Sequence, residues 1–163
     1  VRQTNNREKV YQIMLKVREF LDKAKISLPN QLEVEISHHY GLGNFYKVGA
    51  VIINCVNREY CKKIIILFPG QSHPTHFHKQ KEETFQVLYG EMILNLDGQK
   101  KTYHAGELIL VQAGVKHSFS TPKGVIFEEI STTHFKDDSF YDDKKISENK
   151  ERKTRLTHWL NID

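Results

Sequence analysis

Two histidines two residues apart, followed five residues later by a glutamate and bracketed by glycines, constrain this chain more than any other stretch. The order is Gly70, five residues, His76-Phe77-His78, four residues, Glu83, six residues, Gly90. Residues i and i+2 of a strand share a face, so both imidazoles can meet at one point. Glu83 lies across a short turn and heads an alternating run in which Glu83, Phe85, Val87 and Tyr89 share a face. That face reads as a barrel interior, where a lone carboxylate is costly to bury unless a cation removes the cost. A second glycine-framed run, from Gly106 to Gly114, leads to His117. His76, His78, His117 and Glu83 together make a ligand set for one divalent transition metal; such donors suit zinc, iron, manganese or nickel. The other reading is four unrelated polar residues near a barrel mouth.

Alternation carries the fold class. Residues 51–56 and 63–68 are short runs rich in Ile and Val, of strand length. Met92, Leu94 and Leu96 alternate up to Asp97-Gly98, and residues 99–104 follow, which is a hairpin signal. Residues 107–111, 116–121 and 125–131 read as further strands, with turns at 112–115 and at Pro122-Lys123-Gly124. Many short strands with regular turns predict a mainly β protein, an antiparallel sandwich or barrel. Ahead of them Val10, Ile13, Met14, Val17, Phe20, Leu21 and Ala24 recur at steps of three and four. This stripe predicts a helix over 7–25, capped by Asn5 or Asn6, ended by Leu28-Pro29-Asn30 and packed outside the sheet. Beyond Lys136 the chain is charged, and 152–160 reads as a short helix or an arm over a neighbour. The division expected is a helix over 1–30, a barrel over 31–135 and a C-terminal arm over 136–163, one domain overall.

With 24 basic and 20 acidic residues among 163, the net charge of +4 is too small and too interleaved to indicate nucleic-acid binding. No apolar run approaches about 18 residues, and the polar N-terminus is no signal peptide, so neither a membrane span nor secretion is expected. Cys55 and Cys61 read as reduced thiols of a cytoplasmic protein, with a disulfide between them as the alternative. The chain begins at Val1, which suggests a processed product or a piece of a longer polypeptide. His73 is off the parity of His76 and His78 and reads as a rim residue or a substrate contact. His38 and His39 read as surface or packing residues, while His104, His134 and His158 carry no usable signal.

The two glycine-framed motifs, within roughly residues 45–131, resemble those of the cupin superfamily. That resemblance implies a double-stranded β-helix, a jelly-roll-like barrel around the metal. The second motif departs from the usual pattern at Gln112, where proline is common, and at Thr121, where asparagine is frequent; neither is a ligand position. Within the superfamily, His76, His78, Lys81 and Glu83, with the late strand Glu129-Ile130-Ser131, resemble the D-lyxose ketol-isomerase family. This implies a divalent ion, commonly manganese, on the three histidines and Glu83, with Lys81 and Glu129 moving protons. Glu129 is preferred to Glu128 because it shares a face with Val125 and Phe127. The chain is also similar to the C-terminal cupin domain of sialic-acid-synthase-like proteins, through Ser37-His38-His39-Tyr40-Gly41, residues 56–63, Glu82-Glu83-Thr84-Phe85 and residues 128–134. Lyxose isomerases carry an Asn/Asp-rich segment with an arginine where this chain has 132–140, so substrate contacts from that segment do not transfer.

These resemblances imply a metal-dependent cupin acting on a small-molecule sugar, by aldose–ketose isomerisation through an enediol. Glu129 would be the base, if burial raises its pKa, and Lys81, beside a cation, would have its pKa lowered and shuttle a proton to oxygen. Two other functions fit the same ligands: a non-catalytic, metal-ordered sugar-binding or regulatory domain, and an iron-dependent dioxygenase. Edge strands and terminal segments predict a homodimer.

Overall fold

The computed structural model describes residues 5–160; residues 1–4, and with them the question raised by Val1, lie outside the described residues. The elements are α1 (Asn6–Ala24), β1 (Glu33–Ser37), a 3-10 turn (Leu42–Asn44), β2 (Ala50–Asn57), β3 (Tyr60–Leu67), β4 (Ser72–Phe77), β5 (Glu83–Leu96), β6 (Gln99–His104), β7 (Leu108–Val111), β8 (His117–Ser120), β9 (Val125–Thr132), β10 (Phe140–Tyr141), α2 (Lys144–Glu148) and β11 (Lys153–Leu156). The strands join in the order β10-β4-β8-β5-β9-β3-β2-β1-β11, with β6 and β7 also pairing β5.

β5 is shared by both halves of this curled antiparallel sheet. Its first part pairs with β9 and β7, its second with β6 and β8. The corner is Gly90, at φ 82°, where a Cβ would lie 2.1 Å from the carbonyl oxygen of Gly124; only glycine fits so close an approach. Curling brings the inner faces together around Ile65, Leu67, Phe85, Leu94, Phe119 and Phe127. The Phe127 ring lies 5.2 Å from both Phe85 and Phe119. The Asp97-Gly98 turn, with both φ positive, closes the β5–β6 hairpin as expected.

α1 lies on the outer face. Val10, Ile13, Met14, Val17 and Leu21 of the apolar stripe are buried against Val34, Ile36, Ile53, Ile64 and Ile126 of the sheet. Each fully buried side chain of this kind contributes about 1.5–3 kcal/mol. The Asn5 side chain accepts from the Arg7 N–H at 3.2 Å, and Lys25 ends the helix in the left-handed conformation. Cys55 and Cys61 are free thiols. Among the described residues no helix is long and apolar enough to cross a membrane.

Two expectations are corrected. Tyr89 does not share the inner face with Glu83, Phe85 and Val87: a register shift between Val87 and Tyr89 turns it outward, edge-on to Phe20 at 5.7 Å. Nor does 152–160 form a helix. Lys153–Leu156 is a strand on the outer edge of β1, with Lys153 opposite Ser37 and Leu156 opposite Val34. Hydrogen-bonding to that open edge satisfies backbone groups of both segments.

Candidate metal centre

Strand pairing assembles the centre. In the β4–β8 ladder His76 stands directly opposite His117, and their ring centroids are 4.2 Å apart. His78 follows the last residue of β4, and Glu83 is the first residue of β5. All four side chains are buried. One ligand nitrogen from each of the three histidines lies within 4.8 Å of the others. Glu83 touches two of them, Oε1 at 3.4 Å from His78 Nε2 and Oε2 at 3.2 Å from His117 Nε2.

Backbone carbonyls decide which nitrogen each ring offers. His76 Nδ1 lies 3.0 Å from the Pro74 oxygen, His78 Nδ1 2.6 Å from that of Asp138, and His117 Nδ1 2.9 Å from that of Val115. A carbonyl only accepts, so each Nδ1 carries the hydrogen and each Nε2 keeps its lone pair. His78 Nε2, His117 Nε2 and Glu83 Oε2 are buried without a hydrogen bond. Orphaned acceptors in a dry site are costly, and a divalent cation among them removes the cost. The donor set fits such an ion. Burial, together with His117 and His78 alongside, holds the His76 pKa well below its usual value, so the ring stays neutral and able to ligate.

Lys81 and Glu129 complete the cluster. Lys81 Nζ is 2.8 Å from Glu83 Oε1 and 3.2 Å from Glu129 Oε2, and Ser131 Oγ donates to the same Glu129 oxygen at 3.1 Å. Burial, reinforced by the Glu83 charge, pushes Glu129 above the usual carboxylate range despite Lys81 and Lys63. Glu83 is shifted the other way: burial would raise it, but the Lys81 charge beside it holds it well below. For Lys81 the expected lowering is corrected. Burial acts in that direction, yet two flanking carboxylates outweigh it, and its pKa is raised.

Residues 63–128 match the family described as Cupin domain. The D-lyxose ketol-isomerase of Cohnella laeviribosi is 30% identical over 162 residues, an alignment covering 80% of this chain and 88% of that protein. The chain belongs to the D-lyxose ketol-isomerase family. A D-lyxose/D-mannose isomerase of Thermosediminibacter oceani is 38% identical over 103 residues, which cover 58% of this chain and 56% of that protein's length. In fold, the chain resembles the L-ribose isomerase of Cellulomonas parahominis, with a TM-score of 0.72 at 13% identity over 87% of this chain and 94% of that one.

Several neighbours of the centre in this family member were not evident from sequence. Asp138 is buried, and its carboxylate accepts from the backbone N–H groups of Lys79, Gln80 and Lys81 at 2.8–3.2 Å. His73 is no rim residue: it is buried, stacked on Phe119 at 4.5 Å and edge-on to His76 at 4.7 Å. A register shift between His73 and His76 undoes the simple parity that placed it outside. His39 has a packing position, 1% exposed and edge-on to His73 at 4.8 Å. His38 shares a hydrogen bond with Thr154 at 2.9 Å. The Tyr141 ring stacks on His76 at 5.4 Å, with the Arg152 guanidinium 5.0 Å from its own centroid. His134 lines the same pocket, and burial with Lys63 and Lys81 nearby lowers its pKa to about 3. His104 is exposed beside Glu91 and Glu107, away from the centre.

Proposed function

We propose that this chain is a metal-dependent aldose–ketose isomerase working through an enediol. The observation that carries the reading is the buried Glu129–Lys81–Glu83 chain set against the three histidines. His76, His78, His117 and Glu83 would hold one divalent ion, manganese, zinc or iron. Bound there, the ion would act as a Lewis acid toward the carbonyl and hydroxyl oxygens of a sugar.

The protein's own groups then account for the protons. Glu129, raised toward neutrality by burial, takes the proton from the carbon beside the carbonyl and returns it to the former carbonyl carbon. Lys81, held charged by its two carboxylates, donates to the carbonyl oxygen as the enediol forms and recovers a proton from the neighbouring hydroxyl. One carbon-bound and one oxygen-bound proton thus change places; one carbon is oxidised as its neighbour is reduced, so no external oxidant or reductant is needed. An iron dioxygenase or a sugar-binding module would use the same ligands and leave the Lys81–Glu129 pair without a task. The free thiols fit a reducing compartment such as the cytoplasm, and the exposed apolar edge at β7 supports a homodimer.

The test is solvent deuterium exchange by NMR, using manganese-loaded protein in heavy water with aldoses, ketoses and acetamido sugars. Deuterium should enter beside the carbonyl in the wild type and not in His76→Ala. Lys81→Met and Glu129→Gln should retain the metal and lose at least about 100-fold in exchange rate, the scale of general acid–base catalysis. No exchange with any sugar while metal is bound would sink the reading and leave a binding module.

A further inference from the structure

The wall of this pocket formed by β3 carries a lysine, largely buried, that forms no ion pair among the described residues. Lys63 is 7% exposed and stands opposite Glu129 in the β3–β9 ladder. It lines the same pocket as His76, Glu35, Ser37 and Lys153. Its charge acts on Glu35 and Glu129. Among the described residues, however, both carboxylates are engaged by others and neither forms an ion pair with Lys63. Glu35 is held by Lys153 at 3.1 Å, by Arg155 at 3.9 Å and by the Ser37 hydroxyl at 2.9 Å. Glu129 is held by Lys81 and Ser131.

Glu35 is thus taken by Lys153 and Arg155 and Glu129 by Lys81, which leaves the Lys63 ammonium without an ion pair. A lysine presents three donors and no acceptor, and burying it without partners is unfavourable. The open side of the pocket is where the missing acceptor can enter. A sugar hydroxyl would meet the hydrogen-bonding need but not the charge, whereas an anionic oxygen meets both. We propose that Lys63 and Lys153 form a basic subsite that receives an acidic group, carboxylate or phosphate, at the end of the sugar remote from its carbonyl. The placing of the two ends rests on the isomerase reading above.

The test is calorimetric binding of D-mannitol, D-mannonate and D-mannitol 1-phosphate to the manganese-loaded protein. None of the three has an aldehyde or ketone to isomerise, so the outcome does not depend on turnover, which deuterium exchange tests separately. At least one acid should bind about tenfold or more tightly than mannitol, the effect of one charge-assisted hydrogen bond. Comparing the two acids separates carboxylate from phosphate. The preference should vanish in Lys63→Gln and persist in Lys63→Arg, which keeps the charge and checks that the site still folds. Equal binding of acids and mannitol overturns the proposal. So does a preference that survives Lys63→Gln, because the acid would then sit on the metal.

Discussion

Each histidine of the centre owes its tautomer to one backbone carbonyl, from Pro74, Asp138 or Val115. Strand pairing and turns place those oxygens, so the Nε2 lone pairs converge before any ion arrives. His39 shows the opposite condition, with both ring nitrogens buried and unpartnered. Burial, aided by Arg152 and Lys153, lowers its pKa from 6.5 to about 4. Between these values the unfolded chain holds a proton that the folded chain does not. Stability from this residue is complete above pH 6.5, falls as pH drops toward 4 and is lost below it. At about 1.4 kcal/mol per unit, the loss is on the order of 3 kcal/mol. His39→Phe should flatten stability against pH over that window, measured by urea unfolding of the metal-free protein; an unaltered slope would show that the ring is solvated. His38, His73, His76 and His134 are also lowered and keep the remaining slope. Parity and one turn were enough to single out His76, His78 and Glu83, and the second glycine-framed run to single out His117, which strand pairing brings opposite His76. His73 was illegible because a bulge leaves no mark in composition.

The segment before β10 does for the loop between β4 and β5 what the carbonyls do for the rings. Asp138 binds three successive backbone N–H groups there and orients His78 with its own carbonyl. One residue thus sets both His78 and Lys81. Burial would raise its pKa, and those N–H donors lower it instead. Asp138→Ala keeps the carbonyl that faces His78 but frees the loop that positions it, and should weaken metal binding about 10-fold, the lower end of what disturbing a ligand's outer support costs. Chelator competition would measure this, with the far-UV circular dichroism unchanged. An unaltered affinity would mean that strand packing alone holds the loop. Local sequence does not announce this contact, since Asp138 lies 60 residues from His78. Most strands between β2 and β9 were legible because they bury apolar side chains, and β6, exposed along nearly all its length, because the Asp97-Gly98 turn announces it. β11 was not: Lys153 and Arg155 turn toward Glu35, so its inward face is charged and no hydrophobic alternation marks it.

Curling closes the interior but leaves part of the outer face uncovered. α1 shields the portion carrying Ile53, Ile64 and Ile126. Beyond it, Ile130, Thr84 and Leu110 stand in one row across β9, β5 and β7, with Leu108 on the same side of β7. Leu108, Leu110 and Ile130 are 65%, 53% and 42% exposed. Among the described residues β7 pairs only with β5, so its other edge presents unpaired backbone groups beside this apolar row. A two-fold axis along that edge would cover the row on both copies at once. Light scattering at micromolar concentration should therefore give twice the chain mass, and Leu108→Glu with Leu110→Glu should give the single mass. A monomeric wild type would overturn the pairing. The substituted side chains point away from Ile109 and Val111, which belong to the inner core. The three histidines, Glu83, Lys81 and Glu129 all come from one chain. The monomeric variant should for that reason retain metal and deuterium exchange, and its failure to do so would place part of the working site on the partner.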